Sequence, residues 1–122
     1  MTRATLRYLH SPDAPDLEHY SPQDPEHFSI LVQALIGPED QPGEEAFDFL
    51  VCTSRWLSSQ LSKERYMMGK NYLFLSRYDY ALLQEAIQKI CSQAEGKDWE
   101  AVTTYLGRYG KWEFEDYKAK ND

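Results

Sequence analysis

Apolar positions along the chain change period several times. From 28 to 36 every second residue is apolar (Phe28, Ile30, Val32, Ala34, Ile36), with Ser29, Leu31, Gln33 and Leu35 between them. A period of two predicts a strand, here with a second face that is only partly polar. Phe47, Phe49 and Val51 repeat the pattern against Asp48, Leu50 and Cys52. The Gly/Pro-rich stretch GPEDQPGEE joins the two runs, so they read as a hairpin with Glu39, Asp40, Glu44 and Glu45 at its tip. TLRYLH (5–10) reads as a short first strand, and the apolar run NYLFLSR (71–77) as a central one.

After Thr53 the period lengthens. Trp56, Leu57, Gln60 and Leu61 share a helical face, with Thr53 or Ser54 as the cap. Asp79 begins a second helix whose face carries Leu83, Ile87 and Ile90, with Ala86 and Ala94 alongside and Gly96 as its end. Asp98 begins a third, with Trp99, Val102, Leu106 and Tyr109 on one face and Gly107 and Gly110 loosening its end. Strands come first and helices later. That order predicts an α+β fold, a mainly antiparallel sheet of four or five strands with two or three helices packed on one face. At 122 residues the chain suits one domain, 1–122, able to bury roughly two-thirds of its unfolded surface.

The segment 11–27 interrupts this order. Pro12, Pro15, Pro22 and Pro25 forbid a regular element, so it reads as a long loop, ordered or flexible, and it is acidic. Charge sharpens the picture. The net charge is −7, yet residues 1–50 hold ten acids against Arg3 and Arg7, while residues 51–122 are nearly balanced. Acidity gathers in 11–27 and at the hairpin tip. Such a surface repels nucleic acid and anionic lipid and attracts a basic partner, although a solvated acidic face that only aids solubility gives the same pattern.

The C-terminal stretch YGKWEFEDYK (109–118) alternates rings with carboxylates. In extended form Trp112, Phe114 and Asp116 share one side, and Glu113, Glu115 and Tyr117 the other. The plainest reading is an anchored tail, a last short strand that buries Trp112 and Phe114. A sharper one turns Glu113, Glu115 and Asp116 toward a basic partner.

Candidate chemistry is sparse. No Gly-rich phosphate loop or nucleophile elbow occurs. His10, His19 and His27 are spaced too widely for a metal site on one element, and no cofactor is expected. Cys52 and Cys91 read as free thiols, with a single disulfide between them the alternative, and Cys52 as a small buried hydrophobe in a strand. A basic stretch, Arg55, Lys63, Arg65 and Lys70, contains Glu64 and belongs to an acidic chain, so nucleic-acid binding is not expected. There is no apolar run of membrane-spanning length and no apolar signal core, which makes the cytoplasm the expected compartment. The profile suits a binding protein better than an enzyme.

The order of motifs in FSILVQALIGPEDQPGEEAFDFLVCTSRWL and in DWEAVTTYLGRYGKWEFEDY, with the helix around 80–94 between them, resembles the immunity protein 8 family of bacterial polymorphic toxin systems. The resemblance covers roughly residues 28–117. It implies a small cytoplasmic α+β protein that binds and blocks a cognate toxin domain, with no catalytic residues to carry over. Trp56, Trp99, Trp112, Phe114 and Tyr117 fall at its motif positions and read first as framework. A basic toxin domain, for example a nuclease, fits the acidity. The expected contact residues are Glu39, Asp40, Glu44 and Glu45, with Glu113, Glu115, Asp116 and Tyr117 second, and Tyr20 and Tyr78 are further candidate anchors. A small acidic adaptor with no toxin partner is the alternative, and an enzyme using carboxylates or Cys52 ranks third.

Overall fold

The computed structural model describes residues 1–114. Its elements are β1 (Thr2–His10), β2 (Ser29–Pro38), β3 (Glu45–Cys52), α1 (Ser54–Glu64), β4 (Tyr72–Phe74), α2 (Tyr80–Gln93), β5 (Glu95–Gly96), α3 (Trp99–Leu106) and β6 (Lys111–Trp112). The strands form one sheet in the order β4-β3-β2-β1-β5, with β6 also pairing with β3. The class is α+β, as the element order predicts. The sheet is mixed, because β3 and β4 run parallel while the other pairs are antiparallel. Two of its six strands are two residues long, too short to leave any periodicity in the sequence.

The hairpin follows its alternation closely. Ile30, Val32, Ala34 and Ile36 of β2 and Phe47, Phe49 and Val51 of β3 are all buried. They meet Leu83, Ile87 and Cys91 of α2 and Val102 and Leu106 of α3 in one core. On the other face Leu31, Gln33, Leu35 and Leu50 are only half-buried, which explains the mixed polarity there. The caps are those the sequence marks. Thr53 accepts from the Trp56 amide, Asp79 from Ala81 and Leu82, and Asp98 from Ala101, which satisfies orphan donors of each first turn.

Several expectations are corrected. The run 71–77 yields only the three-residue β4, and β4 is an edge strand. Leu75, just beyond it, is buried, so the run is apolar on its inner side without being central. Gly96 does not end α2, whose cap is Ala94; it belongs to β5. A Cβ at Gly96 would lie 2.7 Å from that of Ala101, so close packing against α3 is what requires glycine there. Tyr109 lies beyond α3 and is exposed. Helix α1 buries no residue at all, so only α2 and α3 supply buried positions to the core.

The Pro-rich loop is ordered. Ala14 and Leu17 are buried in the core, and the Tyr78 hydroxyl donates to the Leu17 carbonyl at 2.5 Å. Tyr20 and Phe28 both meet the Tyr78 ring edge-on, at 4.9 and 5.3 Å. Burial pushes the Tyr78 hydroxyl up to about 12, so the ring and its proton serve the interior.

The tail is anchored, as its plainest reading has it, but only in part. β6 lies antiparallel on β3, Phe47 opposite Trp112, and Trp112 is half-buried. Phe114 stays 45% exposed, its ring 5.3 Å from that of Trp112. The approach to β6 depends on Gly110, where a Cβ would sit 2.7 Å from the Phe49 ring. Gly110→Ala is therefore expected to cost about 1–3 kcal/mol through overpacking. Gly69→Ala meets open space and should stay within about 0.5 kcal/mol of the parent. Urea unfolding of the two variants checks the contrast, and equal midpoints would contradict it.

Candidate functional site

The acidic hairpin tip is built by a bracket. The β1–β2 ladder loses register between Leu6 and Tyr8, which leaves Arg7 without a partner across the sheet. A bulge re-aims the side chain it carries. The Arg7 guanidinium donates to the carbonyls of Pro38 at 2.7 Å and Gln41 at 2.8 Å, and more weakly to Gly43 at 3.4 Å. The loop can fold back this far because position 37 is glycine: a Cβ there would lie 2.0 Å from the Gly43 oxygen. Gly43 itself sits at φ 110, a conformation that residues with a Cβ rarely adopt. One of only two bases in the acidic half thus donates through Nη2 to backbone carbonyls of the tip and to none of its carboxylates.

Glu39, Asp40 and Glu44 are exposed, and among the described residues none of them forms an ion pair. Glu45 is different. Its carboxylate accepts from two indoles, Trp99 Nε1 on Oε2 and Trp112 Nε1 on Oε1, the latter at 2.7 Å. Charge-assisted bonds of this kind are strong, and here they tie α3 and β6 to the start of β3. Glu113 is exposed, and its Oε1 accepts from the Ala46 amide at 2.8 Å. The fold therefore brings Glu45 and Glu113 together and gives both an internal bond. Glu115, Asp116 and Tyr117 lie outside the described residues. Beside the tip, Pro38, Gln41, Pro42, Gly43, Glu44, Glu45 and Trp99 line an open hollow of about 330 Å³.

Sequence reasoning missed the Arg7 bracket and the paired indoles. A base within a strand of an acidic half that holds only two was a usable signal for the first. The second needed residues 54 and 67 positions apart to meet at Glu45, and nothing local announces that.

The other candidates are placed as follows. Cys52 and Cys91 are both free and buried, and desolvation pushes their thiols up to about 11 and about 12. They remain protonated at neutral pH, where a thiol is a weak nucleophile. Among the described residues no three His, Cys, Asp or Glu side chains are grouped to hold a metal ion, and no helix is long and apolar enough to cross a membrane. Asp16 and His19 form a surface pair at 2.7 Å. The hydrogen bond between them raises the His19 pKa and lowers that of Asp16.

What the fold organises here is charge and shape: a rigid acidic loop backed by an indole-clamped carboxylate. The chain belongs to the Immunity protein 8 family, whose model matches residues 4–117. By family it is an immunity protein against a toxin. Comparison with curated proteins and with solved structures found no match.

Replacing Glu45 by Ala removes the acceptor of two indoles and should destabilise the protein by about 2 kcal/mol. Denaturant unfolding read by tryptophan fluorescence measures this, and an unchanged midpoint would show the clamp to be energetically idle. For His19, Asp16 favours the folded imidazolium, so the pair's contribution is full below the ordinary histidine pKa and fades as pH rises through the raised one. An NMR titration should place the His19 midpoint above that of an Asp16→Asn variant, and coincident midpoints would contradict the pair.

Proposed function

We propose that this protein binds a cognate bacterial toxin domain directly and neutralises it, and that the acidic hairpin tip is the part that meets the toxin. Family membership across residues 4–117 supports the first half of this reading. The second rests on one observation: Arg7 holds the loop through its carbonyls, and among the described residues Glu39, Asp40 and Glu44 form no ion pair. Fixed and unpaired carboxylates suit a basic toxin surface, such as the cleft of a nuclease. The field of the acidic half would raise the rate of encounter, which matters for an inhibitor that must capture every toxin molecule. The hollow beside Trp99 has the size and the carboxylate wall to take one Lys or Arg side chain of the toxin. Glu115, Asp116 and Tyr117 remain proposed contacts on the strength of the sequence alone, and the site of action is the cytoplasm of the producing cell.

Growth rescue tests the first half. The C-terminal domain encoded by the neighbouring toxin gene, expressed inducibly, should arrest growth, and co-expression of this protein should restore it. Arrest that persists despite co-expression would refute the pairing and favour an adaptor with no toxin partner. For the tip, the Glu39→Lys, Asp40→Lys, Glu44→Lys triple variant should lower the association rate by about tenfold or more at low salt and flatten its salt dependence. Unchanged association kinetics would remove the tip from the interface.

A further inference from the structure

The segment 53–77, which holds the crossover from β3, β4 itself and the three residues after it, differs from the rest of the molecule. It carries five bases (Arg55, Lys63, Arg65, Lys70, Arg77) and one acid, Glu64, in a chain that is otherwise strongly acidic. Its helix α1 has an apolar stripe but no buried residue. Tyr66 and Met68, which follow the helix, are 79% and 85% exposed, and Leu61 and Phe74 are exposed as well.

Three physical points converge on this segment. A helix of fewer than about 12–15 residues is marginal in water unless a packed face supports it. α1 has eleven residues and only a half-buried face of Trp56, Leu57 and Gln60, with the Thr53 cap and contacts of Arg55 with Asp24 at 3.6 Å and Glu26 at 3.9 Å. Second, the helix ends at Arg65 with φ 75. That position ordinarily takes glycine, and a side chain there is strained. Arg65 is exposed, so no interior packing accounts for keeping an arginine at this place. Third, exposed Leu61, Tyr66 and Met68 alternate along the chain with Lys63, Arg65 and Lys70, a mixture that matches an interface of apolar anchors and charged rim.

We infer that the α1–β4 crossover is a second docking surface, which takes a protein face that is apolar at its centre and acidic at its rim. On the toxin-binding reading above, on which this inference rests, that face belongs to the same toxin domain. The charge argument selects the occupant. A second copy packed symmetrically on α1 would set Lys63 and Arg65 against their own kind. Nucleic acid would be repelled by the remaining chain, which holds 19 acids against 8 bases. An acidic protein rim is attracted here and repelled at the hairpin tip. The two surfaces therefore fix one orientation of a toxin that carries charge of both signs.

Binding of the purified toxin domain to three variants tests this, with the wild-type chain as reference. Tyr66→Ala with Met68→Ala should weaken binding by roughly tenfold or more, as hot-spot truncations do. Lys63→Glu with Arg65→Glu should weaken it most at low salt. Arg65→Gly should leave the thermal midpoint within about 3 °C of wild type or raise it, yet still weaken binding, which a purely structural role for Arg65 would not produce. Circular dichroism on each variant confirms that the fold is kept. Wild-type affinity in all three, or tighter binding after charge reversal, overturns the inference and leaves the toxin-binding reading standing. Failure of the wild-type chain to bind overturns both. Binding of duplex DNA in preference to the toxin domain, lost on reversal of Lys63 and Arg65, would replace the protein partner by nucleic acid.

Discussion

The outer edge of β3 is shared between two partners. Phe47 and Asp48 pair with β6, and Leu50 to Cys52 pair with β4, while the inner edge pairs with β2 along the full length of β3. Every later element must be compatible with that division. β4 can reach its half only by a parallel crossover, which throws α1 and the loop after it outside the core. β6 can reach the other half only because Gly110 lets the chain pass against Phe49. The Glu45 carboxylate then locks the arrangement by holding Trp99 and Trp112 at once. Burial supplies the stability, since Phe47, Val51, Leu83, Ile87 and Val102 are fully buried and each is worth about 1.5–3 kcal/mol against exposure.

The same division separates two surfaces by charge. At the start of β3 the hairpin loop stands out acidic, fixed by Arg7. Beyond its end the crossover stands out basic and apolar, held by the Thr53 cap, a half-buried helix face and the Arg55 contacts. On the proposed reading, inhibition rests on contact: the frame holds the acidic loop, whose field attracts the toxin, and the apolar residues of the crossover anchor it. The buried, protonated thiols belong to the frame, and Glu45 and Glu113 each hold an internal hydrogen bond within it.

Much of the frame was legible in the sequence because it rests on local rules. Alternation at 28–36 and 47–51 marks the buried faces of β2 and β3, and Thr53, Asp79 and Asp98 mark three helix starts. What escaped has a nonlocal cause. β5 and β6 are too short to show a period, β4 owes its edge position to topology, and Cys91 joins the buried face of α2 without being a residue type that signals it. The candidate site divides in the same way. Acidity at the tip was plain, but whether a carboxylate faces a partner or an indole depends on residues far along the chain. Glu39 and Glu45 look alike in sequence, and only the fold distinguishes the exposed acid from the one clamped by Trp99 and Trp112.

Stoichiometry tests the central claim most directly, that neutralisation is by binding. The activity of the purified toxin domain should be titrated with this protein at concentrations well above the dissociation constant. Residual activity is expected to fall in proportion to the protein added and to reach zero at equivalence, with activity recovered when the complex is separated in denaturant and the toxin refolded. Complete loss at a small fraction of an equivalent, or loss that outlasts separation, would mean that the protein acts on the toxin by turnover, and the binding account would be wrong.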